Sequence, residues 1–235
     1  MLRLARLLVI PLVFPFVLAA GAFAEKELLW GDTHLHSSNS FDAYLNQNTT
    51  ADPDTAYRYA KGLPVIHPFH RALVQIETPL DFLVIADHAE LLGAMPTIMD
   101  GGGIPRDGLG FTEGLAAWYA ERFFRNAVES GEGQAAFASL LPATNDVRAA
   151  AQDISGGRDI PNLDLMARTV WGQAIKTADV HNDPGTFTAL IGWEWSSIPA
   201  GANLHRVVFT SANADIASKF VPYSSTDSAY PEDLW

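Results

Sequence analysis

The chain switches between a two-residue and a three-to-four-residue spacing of apolar positions, which separates strands from helices. Four stretches read as strands. After Leu28-Leu29-Trp30, the stretch Gly31-Asp32-Thr33-His34-Leu35-His36-Ser37 alternates, so extended backbone turns Asp32, His34 and His36 to one face and Thr33 and Leu35 to the other. In residues 79–88, the nearly unbroken run from Phe82 to Ala86 predicts a strand buried on both faces, as in a parallel sheet, ending in Asp87-His88. Residues 187–195 resolve with period two into Trp193 and Trp195 on one face and Gly192 and Glu194 on the other. Arg206-Val207-Val208-Phe209 is a fourth strand candidate, with His205 at its start.

Helical spacing fills the intervals. Asp52-Pro53-Asp54 supplies a capping carboxylate, a first-turn proline and a second acid at the positive helix end, with Tyr57 and Ala60 on one side and Gly62 and Pro64 as the stop. Residues 93–110, with Gly101-Gly102-Gly103, read as a long surface loop. Thr112 then caps a helix whose stripe of Leu115, Trp118, Tyr119, Phe123 and Val128 is expected to face the core. Residues 132–160 suggest one or two short helices without recognisable chemistry, so 93–160 is expected to be a loop and helical insertion. Pro161 starts a further helix through Leu163, Met166, Val170 and Ala174, ended by Asn182-Asp183-Pro184-Gly185. The alternation of strand, helix and strand predicts an α/β fold with right-handed crossovers. Four strands are too few to close a barrel of about eight. Pro231-Glu232-Asp233 resembles a helix start with no helix after it, and the expectation is a C-terminally truncated chain.

Composition changes this picture at the amino terminus. Arg3 and Arg6 precede an apolar run, and Ala22-Phe23-Ala24 offers small residues for cleavage, so residues 1–24 are expected to be a secretory signal and residues 25–235 the exported domain, periplasmic or secreted. Removing Arg3 and Arg6 with that segment takes the formal charge from −12 to −14. So acidic a protein, without a basic cluster, is not expected to bind nucleic acid, nor to stay inserted in a membrane once the signal is cut. It has no cysteine, so a metal would be held by nitrogen and oxygen ligands alone.

Such ligands fall at strand ends. His34 and His36 converge on one volume, His88 follows the buried strand, and Glu194 faces away from two tryptophans toward the interior. A carboxylate buried there is costly unless a cation or hydrogen bonds hold it.

His34-Leu35-His36, Ile85-Ala86-Asp87-His88, Leu190-Ile191-Gly192-Trp193-Glu194 and Asn203-Leu204-His205 have the order and neighbours of the motifs of the polymerase and histidinol phosphatase (PHP) domain. The chain resembles that superfamily, and most closely an exported family related to it, over residues 28–92 and 161–235. The resemblance implies a distorted (β/α)7 barrel, here its N-terminal portion, with two or three divalent ions (zinc, manganese or iron) at the strands' carboxyl ends. It implies His34, His36, His88, Glu194 and His205 as metal ligands, with Asp42 as a further ligand six residues after His36. Glu194 is the residue that bridges metals in that family, and with His88 it is the candidate for a direct catalytic role. His67 and His70 match no position of the family and are expected to be solvated or structural.

The expected activity is metal-dependent hydrolysis of a phosphoester or related ester by metal-bound water. The expected substrate is a small anionic ester, with Arg58, Lys61 and Arg206 as candidate anion contacts. The competing expectation is an exported metal-binding or interaction protein without turnover, or an inactive remnant.

Overall fold

The computed structural model describes residues 26–155 and 160–235, so the expected signal segment lies outside the described residues. The fold is mixed α/β. In chain order the elements are β1 (Gly31–Leu35), α1 (Phe41–Leu45), α2 (Pro53–Ala60), β2 (Val65–Ile66), β3 (Leu73–Val74), β4 (Phe82–Ile85) and α3 (Ala94–Met99). The insertion continues with α4 (Phe111–Glu129), α5 (Gly133–Leu140) and α6 (Val147–Ser155), followed by α7 (Leu163–His181), β5 (Thr188–Ser197), β6 (Leu204–Thr210) and α8 (Ala214–Ala217).

Strands β1, β4, β5 and β6 lie side by side in that order in a curled, open sheet. The first three are parallel and β6 returns antiparallel to β5. That reversal matters for the chemistry. An antiparallel neighbour presents its beginning where the parallel strands present their ends, so His205 arrives beside Glu194. As expected, β4 is buried on both faces, with Leu83 and Val84 fully covered, and each such side chain contributes roughly 1.5–3 kcal/mol by leaving water. Gly192 allows this tight register, because a Cβ there would collide with Val84 and the Val208 carbonyl.

Apolar residues gather in two main clusters, one on the sheet and one among the helices. In one, Ala56 and Tyr57 of α2 and Trp171 and Ile175 of α7 pack on Leu83, Ile85 and Ile191, and Trp193 meets Trp171 edge to face. The α2 reading holds in detail: Asp52 accepts a hydrogen bond from the Thr55 N–H at 2.9 Å, and Pro53, Ala56, Tyr57 and Ala60 are buried. The other cluster joins α1, α3 and α4 through Phe41, Met95, Ile98 and Phe124.

The insertion departs from expectation in two ways. Residues 93–110 are not all loop: Ala94, Met95 and Ile98 give α3 a buried face, and Gly93 before it takes φ +69°, where a Cβ would also strike Val170. In α4, whose N-cap is Gly110 rather than Thr112, the buried residues are Ala117, Phe124 and Ala127. Leu115, Trp118, Tyr119 and Phe123 are exposed. Apolar residues occupy several faces of this helix, and small alanines, which let it approach α3 closely, decide which face turns inward. The short β2–β3 hairpin had no signal in its composition. Among the described residues, no helix is long and apolar enough to cross a membrane.

Candidate metal centre

Serines and an aspartate fasten the carboxyl ends of the strands together. As β1 ends, Ser37 donates its N–H and its hydroxyl to Asp87 at 2.5 and 2.7 Å, tying the His36 loop to the end of β4. Asp87 is therefore spent on the scaffold. Burial pushes its pKa up to about 6 in spite of those two hydrogen bonds. Ser40 accepts the His88 N–H at 3.1 Å and donates to Asp42 at 2.6 Å. The backbones of β4 and β5 run on in parallel, so His88 and Glu194 are bridge partners. Asp32 accepts the N–H of His34 and stays outside the site, where the register between β1 and β4 shifts.

Glu194 is fully buried and is the hub. Its Oε2 lies 3.1 Å from His34 Nε2, 2.9 Å from His36 Nε2 and 3.4 Å from His88 Nε2, and its Oε1 lies 2.6 Å from His205 Nδ1. Asp42, on α1, lies 3.0 Å from His36 Nδ1 and 3.9 Å from His88 Nε2. The structure thus brings together His34, His36, Asp42, His88, Glu194 and His205. His67 stands apart, half-buried, its Nδ1 accepting the N–H groups of Phe69 and His70 in its own turn.

These distances are close, yet much of the polar contact is not hydrogen bonding. His36 Nε2 and both Glu194 oxygens are buried with no hydrogen-bond partner of acceptable geometry. Buried polar atoms are normally satisfied, and leaving one unsatisfied costs about 1–3 kcal/mol. Imidazole nitrogens and carboxylate oxygens gathered at short range without aligning on each other fit lone pairs aimed at cations. Three overlapping sets meet that description, each with its ligand atoms within 4.8 Å of one another: His34, His36 and Glu194; His36, Asp42 and His88; His88, Glu194 and His205. The buried cluster can therefore hold a metal ion, and Glu194 belongs to two of the three sets.

Electrostatics say the same. Burial works against charge at each of these groups, but Asp42 and Glu194 raise the His36 imidazole to about 10. Against burial, His36, His88, His34 and His205 hold Glu194 down to about 2, and His36 and Ser40 keep Asp42 below the usual carboxylate range. Without a metal, a proton on His36 supplies the positive charge that a cation would bring.

Several functional neighbours carried no motif. Glu90 accepts the N–H groups of Ser196 and Ser225 at Oε1, and its Oε2 stands 3.4 Å from His88 Nδ1, placed to orient that ring. The alternation Asp87-His88-Ala89-Glu90 past the strand was the available signal. Ser196 Oγ lies 2.8 Å from His205 Nδ1. The insertion, read as free of chemistry, supplies a wall beside His88 and His205 through Phe137, Leu141 and Ile154. Arg206 donates to the His205 carbonyl, Lys61 to the His181 carbonyl, and Arg58 is exposed on α2; none of the three lines that cleft.

No curated protein and no solved structure matches the chain. The family described as Protein of unknown function (DUF3604) matches residues 23–235, nearly the whole sequence, and the chain belongs to that family.

Proposed function

We propose that this protein is an exported, divalent-metal-dependent hydrolase of phosphoesters or related esters, built on a barrel of the PHP type. The observation that carries the reading is Glu194: a carboxylate with no solvent exposure, four imidazoles around it and neither oxygen hydrogen-bonded. Parallel strands whose carboxyl ends converge on one polar cluster are where barrel and open α/β enzymes keep their chemistry, which supports the fold reading.

His34, His36, Asp42, His88, Glu194 and His205 would hold two or three ions of zinc, manganese or iron. Bound divalent ions supply Lewis acidity and bring the pKa of water from about 15.7 toward about 7. The chain's own residues do the positioning. Glu194 spans neighbouring ligand sets, Asp42 fixes the His36 ring through Nδ1, and Glu90 faces Nδ1 of His88. His34 and His205 are partly exposed while His88 and Glu194 are buried, so a substrate approaches from the side of the former pair.

The test is turnover by the metal-loaded full chain on p-nitrophenyl phosphomonoesters, phosphodiesters and carboxylic esters. Hydrolysis is expected to vanish with a chelator and in His88→Ala. A fully loaded protein inert toward the whole panel with zinc, manganese and iron would favour an exported metal-binding protein without turnover.

A further inference from the structure

A cleft of about 410 Å³ opens directly beside the metal centre, with Asp42, His88, Glu90 and His205 at one end. This is within the ~300–1,000 Å³ range of small-molecule sites. The rest of its wall is mainly apolar. Phe41 of α1 stacks on Phe137 of α5, ring centroids 4.4 Å apart, and Leu91, Leu141, Ile154 and Ile198 continue the surface. Neutral hydrogen-bonding groups such as Asn46, Gln134 and Thr226 complete it. Among the described residues, no lysine or arginine lines the cleft.

We infer that this cleft is the specificity pocket of the proposed hydrolase, and that it takes an ester whose organic part is a hydrophobic chain or ring. The inference rests on the metal-hydrolase reading, since the scissile group is placed by the ligand cluster. The division of labour follows from the lining. An anionic head finds positive charge only at the metal end, whereas the hydroxyls of a sugar or nucleotide would outnumber the few neutral polar groups and lie in part against Phe41, Phe137 and Ile154, at a cost for each one unpartnered. An alkyl or aryl group loses nothing there and gains with every methylene it hides. The wall comes mainly from α1 and α5, with Leu91 after β4, Ile154 of α6 and Ile198 after β5 completing it, so α1 and the insertion set substrate choice while the strand ends set the chemistry.

The experiment is calorimetric binding of inorganic phosphate, methyl-, butyl- and hexylphosphonate to the zinc-loaded full chain, none of which requires turnover. Affinity is expected to rise about threefold per added methylene, so that hexylphosphonate binds on the order of a hundredfold tighter than methylphosphonate. Phe137→Asp on α5 and Ile198→Asp after β5 should each cut that chain-length gain below about tenfold. If phosphate and methylphosphonate bind but the longer chains gain less than twofold, the pocket assignment is overturned and the metal reading stands. If no phosphonate of any length binds the zinc-loaded protein, the phosphoester reading falls and the pocket assignment with it.

Discussion

His181, the last residue of α7, meets Asp54 of α2 at 2.9 Å and stacks on Tyr57, ring centroids 5.2 Å apart. Glu194 meets four imidazoles at 2.6 to 3.4 Å. Both are acid and histidine at close range, but the first is a finished hydrogen bond with one donor for one acceptor. In the second, the buried His36 Nε2 and both Glu194 oxygens stay unsatisfied. A structural pair spends its lone pairs on itself, whereas a metal site keeps them aimed at a point that the protein does not fill. Proximity of histidine to carboxylate is therefore a poor sign of metal binding. Unused buried ligand atoms are a better one.

The comparison is sharpened first at Glu90. If its Oε2 orients His88 through Nδ1, Glu90→Gln should weaken metal binding 10- to 100-fold by titration calorimetry, in the range seen for groups that orient metal-bound histidines. Unchanged affinity would make Glu90 merely the partner of Ser196 and Ser225.

The pH dependence distinguishes the two places next. In the metal-free protein, His36 is raised to about 10 from an ordinary 6.5. Its contribution to stability is full below pH 6.5 and is lost as pH climbs through about 10. Glu194 is lowered to about 2 from 4.5, so its contribution is full above pH 4.5 and is lost as pH falls through about 2. Between pH 4.5 and 6.5 both contributions are intact. A metal must displace the His36 proton, so near pH 7 binding should release about one proton, and affinity should rise with pH by up to about tenfold per unit. Calorimetry in buffers of different ionisation enthalpy reads this directly, and binding without proton release would break the argument.

The smallest effect belongs to the finished pair. Asp54 is half exposed, so solvent screens its bond to His181, and Asp54→Ala should cost no more than about 1 kcal/mol in denaturant unfolding while metal affinity stays as it was.

Much of the centre was legible in the sequence because its ligands sit at the ends of strands whose period is unambiguous. The alternation through His34 and His36, the apolar run before His88 and the tryptophans flanking Glu194 each fix a direction. Asp42 was reachable only through the family resemblance, for nothing in Phe41–Leu45 announced a helix. Glu90 had only the alternation His88-Ala89-Glu90 to mark it, since its partners are 106 and 135 residues further along the chain and come near only in the folded protein. The inward face of α4 was misread because apolar residues cover several of its sides, and tertiary packing chose the alanines. The antiparallel course of β6, which brings His205 home, is a fact of topology that a local pattern does not carry.

The most direct test of the shared carboxylate is metal content by inductively coupled plasma mass spectrometry, with melting temperature alongside, for the zinc- or manganese-reconstituted full chain and for Glu194→Gln. The substitution keeps shape and removes charge. The account predicts at least two ions per wild-type chain, at least one fewer in the variant, and a cooperative melt retained in the variant's metal-free form. Equal metal content in the two proteins, or none in the wild type, would contradict it.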